Sequence, residues 1–318
     1  MKISKKTLCA LVAVMLLMAA LAGCAQPQPS SVVTNPTTVP TTQRPTTAPT
    51  TIPTIPTQPT TLPTQPTTVP TQPEEPENPV PEELRNNYYL GHKGQGACEK
   101  MIGNITVLVV FVSDTLNAWS EYDLEQAKPA LQECETRLEA AAAAYGAELD
   151  LTMEYVEAKI SMEFKVDENV LTSAYTVMRK MGIGDAFHDQ DSLEEKYEAD
   201  AVPILFVLNR QGRAFATTMD AETDLLECAV IYGKDLSSIR HELCHIFGAL
   251  DFYFPDETIA AQERYLPDSI MNNHFTEVDD LTAYLIGWVD ELSLNAINFL
   301  RATNHLTKEM VEEAQEQS

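Results

Sequence analysis

From Asn104 to Val112 the chain reads NITVLVVFV, a run with almost no polar side chain. A stretch that is apolar on every side has no wet face, so it predicts a strand covered on both sides of a sheet. The period then changes. Ser120 followed by Asp123 has the spacing of a capping box, apolar and alanine positions continue to Tyr145, and Gly146 supplies a stop. Pro129 falls inside this stretch and is expected either to kink the helix or to open a second one. Leu151 to Tyr155 alternates as a second strand does.

Farther on, Asn169 to Met181 reads as a helix that ends before Gly182, and residues 183–200 as a polar, acidic loop with a short helix. Val202 to Leu208 (VPILFVL) is another buried strand. Asn209 to Gly212 is a turn, after which Arg213 to Thr218 is expected to return antiparallel. Cys228 to Tyr232 is one more short strand, and Leu236 to Phe247 a helix. A loop rich in Pro, Asp and Asn follows, and Leu281 to Leu300 reads as the last long helix. This order predicts an α/β fold: a lobe with a mixed, mostly parallel sheet, then an active-site helix and a smaller, helical C-terminal lobe.

The chain ahead of this pattern is different in kind. Lys2, Lys5 and Lys6 precede an apolar run, Leu8 to Leu21, that is short for a membrane span, and the run ends at Leu21-Ala22-Gly23-Cys24. That tetrapeptide resembles a bacterial lipoprotein box. The resemblance implies a signal peptide over 1–23 and a lipid on Cys24, hence a chain anchored at the extracellular face of the bacterial cell membrane. Residues 24–82 are nearly all Thr, Pro, Gln, Ser and Val, too poor in apolar surface to offset chain entropy. Such a tether, extended at about 3.1 Å per residue, reaches on the order of 180 Å. Its threonines are candidate glycan acceptors. Residues 83–318 are then the folded domain.

A formal net charge of −26 argues against nucleic acid and anionic lipid surfaces as partners. It names no substrate and leaves the oligomeric state open. Four cysteines, Cys98, Cys134, Cys228 and Cys244, remain in the domain, without CxxC or zinc-ribbon spacing; thiols and disulfides both fit them.

The chemistry concentrates in His241 to Asp251, HELCHIFGALD. His241 and His245 are i and i+4 on a helix, so both imidazoles project from one face and can hold one Zn²⁺. Glu242, one step around, can stand beside the metal and take a proton from a zinc-bound water. A catalytic zinc needs a third protein ligand. Gly248 lets the chain leave the helix abruptly, and Asp251 can swing back. Glu263 is the rival third ligand, as in thermolysin-like enzymes. Cys244 faces away from the histidines and reads as core.

These residues carry a second resemblance. HELCHIFGALD is similar to the HExxHxxGxxD signature of the metzincin zinc peptidases, whose methionine turn has a candidate in Ser269 to Asn272. The resemblance implies His241, His245 and Asp251 as zinc ligands, Glu242 as catalytic base, Met271 as apolar floor, and Arg213 to Thr218 as the edge strand beside the substrate. The tyrosine that some members carry two residues after the methionine is Asn273 here. Cys98 lacks the surroundings of an inhibitory cysteine switch. Tyr253 and Phe254 are candidates for a side-chain pocket, and His274 for the cleft; His92, His188 and His305 lack partners at ligand spacing. Tyr284 and Trp288 read as core.

The expectation is a surface-anchored zinc endopeptidase that hydrolyses a peptide or protein substrate, with no cofactor besides one catalytic Zn²⁺. Two alternatives stand beside it. One is an adhesion module with an idle metal site, against which the intact Glu242 argues. The other is a zinc amidase acting on cell-wall peptides.

Overall fold

A computed structural model of the chain describes residues 80–167, 169–187, 190–217, 226–233, 236–272 and 277–317. All belong to one compact unit, Thr71–Ser318. The signal segment, Cys24 and the Thr/Pro-rich stretch up to residue 79 lie outside the described residues, as do His188, Asn273 and His274.

Among the described residues five strands form one sheet: β1 (Gly103–Ser113), β2 (Leu149–Lys159), β3 (Ile204–Leu208), β4 (Phe215–Thr217) and β5 (Cys228–Tyr232). Their order is β2-β1-β3-β5-β4. The first four in that order run parallel, and β4 is antiparallel to β5. The register aligns Val109 with Leu205 and Leu205 with Ala229, and all three enter one core. One residue on, Val110, Phe206 and Val230 align and enter the other. The pleat thus divides a continuously apolar run between two cores, which is why such strands lie in the middle of a sheet.

The first core is closed by helix α1 (Glu121–Tyr145), whose Leu124, Ala127, Leu131, Cys134, Leu138 and Ala142 form one stripe. Ser120 caps its start by accepting from Asp123 N, and Gly146 ends it at φ +79°. The helix continues through Pro129, so no second helix opens there. Burial of the stripe on both sides of the proline outweighs a cost of about 3 kcal/mol for the lost bond and ring clash. The second core is closed by α2 (Val170–Lys180) and α3 (Asp191–Tyr197).

Three expectations need correction. The Arg213 to Thr218 strand does run antiparallel, over Phe215–Thr217, but it pairs with β5 and not with β3, because β5 lies between them. Both β3 and β5 are buried along their whole length and take neighbours on both sides, whereas half-exposed β4 suits an edge. The loop after the HELCH helix contains a helix, α5 (Asp256–Tyr265), opened by two acidic residues. The span Leu281 to Leu300 is two helices, α6 (Asp280–Leu285) and α7 (Leu294–Ala302), not one. Gly287 at φ +85° ends the first, and Ser293 caps the second through Ala296 N. The apolar period runs across this break because both pieces face the same core. Helix α8 (Lys308–Gln317) follows.

The described chain begins with a belt, residues 80–101, in which Val80, Leu84 and Tyr89 are already buried. It grips the C-terminal helices. Asn87 Nδ2 donates to Leu300 O at 2.9 Å, Tyr89 and Thr258 share a hydroxyl bond of 2.9 Å, and Trp288 Nε1 donates to Met101 O at 2.7 Å. The four cysteines of the domain are buried, unbridged thiols.

Candidate metal centre

Helix α4 (Ile239–Ile246) packs on β4, β5 and α1. Ile239, Leu243 and Ile246 recur at i, i+4 and i+7 and enter the first core together with Cys244. Their burial fixes the rotation of the helix, and that rotation turns His241, Glu242 and His245 into a cleft of about 650 Å³.

After α4 the chain reverses at Gly248, where φ is +96°. A Cβ there would also stand 2.7 Å from His92 O in the belt. Glycine is therefore required by conformation and by contact. The reversal sets Ala249 O against His245 Nδ1 at 2.8 Å and brings Asp251 back over the histidines.

The hydrogen bonds decide what the three side chains offer. His241 Nδ1 donates to Ile270 O at 2.8 Å, and His245 Nδ1 donates to Ala249 O. Carbonyl oxygens only accept, so each neutral ring carries its proton on Nδ1 and presents a lone pair at Nε2. The two Nε2 atoms are 3.0 Å apart, and each is 3.1 Å from Asp251 Oδ1. Three electron-pair donors facing one another at this range require a positive charge among them. Zinc–nitrogen bonds of about 2.0–2.1 Å in a tetrahedron set ligand separations of roughly 3.3 Å. The triangle agrees within a few tenths of an ångström. Buried Asp251 Oδ1 and Glu242 Oε2 also have no hydrogen-bond partner among the described residues, as fits atoms meant for a cation and a water. This is the one group of three or more candidate ligands among the described residues whose donor atoms converge, and it could hold a metal ion.

The electrostatics follow. Burial opposes charge on His245, but Asp251 and then Glu242 overcome it and push the imidazole up to about 9. Burial alone would raise Asp251; His245 and His241 instead hold it well below the usual carboxylate range. Glu242 is raised by burial, against the pull of His245 and His241. A buried carboxylate with raised proton affinity is suited to accepting a proton and returning it.

Met271 is fully buried in a turn in which Asn272 N donates to Ser269 O at 3.1 Å. The turn is tied to the ligands through its backbone. Ile270 O orients His241, and Met271 O accepts from Phe252 N, next to Asp251, at 2.8 Å. Asp279 holds the turn from below, accepting from Ser269 Oγ at 2.6 Å while capping α6. Glu263 is exposed on α5 and does not join the group, nor does exposed His305. Cys244 lies in the core.

Arg213, from the expected edge strand, lines the cleft. The cleft also contains residues that the sequence did not place there: Tyr88 and His92 line it, and Lys308, Val311, Glu312 and Gln315 of α8 close one side. No motif marks these positions, because they come from distant segments. Tyr253, a pocket candidate, lies here too; its ring is tilted 21° from the His241 ring at a centroid distance of 6.4 Å. A larger cavity of about 950 Å³ carries Glu99, Glu148, Asp191, Glu194, Asp200 and Asp290, but none of them joins a converging ligand group.

No family model matches the chain, and no curated protein sequence does. Among solved structures, metalloproteinase-II from Bacteroides fragilis is 11% identical over 64% of this chain and 59% of its own, with a TM-score of 0.33. A chaperone–substrate complex is 13% identical over 63% of this chain and 35% of its own, with a TM-score of 0.30. The chain thus spans less than two thirds of either structure's length. Likenesses this faint assign no family; the site's own geometry is what bears on function.

Proposed function

We propose that the chain is a zinc-dependent endopeptidase of the metzincin kind, with a two-lobed domain whose cleft takes an extended peptide. One observation carries the reading. Two Nε2 lone pairs and a carboxylate oxygen converge at 3.0–3.1 Å, and Glu242 Oε2 has no hydrogen-bond partner among the described residues. His241, His245 and Asp251 would hold the ion, and Met271 would floor the site. When bound, zinc supplies Lewis acidity that lowers a water's pKa to about 7 and polarises a carbonyl.

Glu242 then acts as the base. It takes a proton from the attacking water and hands it to the departing amine nitrogen. Burial keeps bulk water from competing for that proton. The exposed edge of β4 is the natural partner for the substrate backbone. The reading extends to the cell: Cys24 bears the lipid, and the Thr/Pro tether projects the domain from the extracellular face of the membrane.

Glu242→Gln keeps the size and removes the base. Peptide-library cleavage read by mass spectrometry is expected to fall by about 10²–10⁴-fold, with zinc content unchanged. Wild-type cleavage by this variant would show that the base lies elsewhere.

A further inference from the structure

Arg213 lies two residues ahead of β4 on the cleft wall. Its Nη2 donates to Tyr253 OH at 3.1 Å, and its guanidinium carbon is 5.8 Å from the centre of that ring. The Tyr253 ring lies 6.4 Å from the His241 ring, centre to centre, and both line the same cleft as Asp251. The guanidinium is therefore held on the wall beside the ligand triangle. Arg213 is exposed, and among the described residues Tyr253 is its one hydrogen-bond partner, so its fork has donors to spare for a ligand in the cleft it lines.

The charges give this position a purpose. Glu242 and Asp251 carry two negative charges, and a divalent ion would cancel them. Arg213 then leaves the cleft with one positive charge. Water attack on a peptide carbonyl creates one negative charge on the carbonyl oxygen. Donors already in place where that charge develops are among the largest sources of rate enhancement.

Resting on the peptidase reading, we propose that Arg213, held by Tyr253, is the donor that stabilises the oxygen of the scissile carbonyl during attack. The water oxygen bonds to the carbonyl carbon as the π pair moves onto the carbonyl oxygen. Glu242 takes the water's proton, and an Arg213 N–H donates a hydrogen bond to the new oxyanion without giving up its proton. On collapse that pair re-forms the carbonyl, the C–N bond breaks, and Glu242 delivers its proton to the amine. This makes Arg213 a catalytic residue, and Tyr253 a positioning residue that holds Arg213.

The alternative is that Arg213 only steadies Asp251 through Tyr253. The two differ in what the zinc-loaded full chain loses. Wild type, Arg213→Ala, Arg213→Lys and Tyr253→Phe are compared on peptides found by the library digest, by elemental analysis, and by calorimetric titration of methylphosphonate, a tetrahedral anion. Arg213→Ala is expected to lower kcat by about 10²–10³-fold with KM little changed. It should weaken methylphosphonate about tenfold or more and leave zinc content intact. Arg213→Lys should recover part of both losses. Zinc loss that accounts for the lost rate would make Arg213 a support of Asp251 and overturn the proposal. So would unchanged kcat and unchanged anion affinity. A zinc-loaded wild type that cleaves no peptide would instead remove the peptidase reading, and the electrophile role with it.

Discussion

The central sheet and the segment from Ile239 to Leu306 are held together in different ways. In the sheet, each side chain of β3, of β5 and of Val107 to Val112 in β1 enters one of two cores, and burial is shared among many similar residues. The later segment has helices of six to ten residues, too short to persist by propensity alone. It depends on individual polar ties: Ile270 O to His241, Met271 O to Phe252, Asp279 to Ser269, Lys93 of the belt to Tyr284 O in α6, and Asn87 of the belt to Leu300 O in α7. Burial can be spread and still fold a chain, but three donor atoms within 3.1 Å of one another need specific bonds behind each.

The sharpest way to break that contrast is to damage the sheet and look at the site. Phe206 is fully buried and packs on Phe164 at 5.4 Å between ring centres. Phe206→Ala is expected to cost about 3–5 kcal/mol in urea unfolding, while the molecules that stay folded keep their zinc. Zinc lost in step with stability would mean that the two regions are one cooperative support.

Gly248→Ala tests the opposite side. It puts a Cβ against His92 O at positive φ, and a cost on the order of 2–3 kcal/mol is expected. Here zinc affinity should fall as well, because Ala249 and Asp251 follow the turn. Asp279→Ala removes the α6 cap and the acceptor for Ser269. A loss of roughly 1–3 kcal/mol is expected, with weaker zinc binding in a calorimetric titration. If Asp279→Ala binds zinc as wild type does, the Met271 turn does not position the ligands.

The smallest effect concerns the belt. Burial pushes Lys93 down to about 8, against the pull of Asp290; its amine donates to Tyr284 O at 2.7 Å. The unfolded value is near 10.5, so between pH 8 and 10.5 the unfolded chain binds more protons, and Lys93 adds stability as pH rises. Melting temperatures at pH 8, 9 and 10 should therefore fall more steeply, or rise less, in Lys93→Met than in wild type. Parallel curves would show that Lys93 ionises as it does in solvent.

The same contrast explains what could be read from the sequence. Strand β1 and helix α1 declare themselves through period, cap and stop, and the site through the fixed spacing of His241, Glu242, His245, Gly248 and Asp251. The insertion of β5 between β3 and β4 was hidden because strand order is a long-range choice that local pattern does not record. The break between α6 and α7 was hidden because apolar spacing continued across it; Gly287 and Ser293 carried the signal. The tie from Ile270 O to His241 is a backbone contact that any residue could make, so no side chain announces it. Arg213 meets Tyr253 across 40 positions for the same reason: the fold alone brings them together.

Calorimetric titration of Zn²⁺ into chelator-stripped protein decides whether His241, His245 and Asp251 form a cation site. Saturable binding of one ion per wild-type chain is expected, and binding weakened at least 100-fold in the His241→Ala/His245→Ala double variant. Wild type that shows no saturable uptake, or a double variant that binds equally well, would contradict that site.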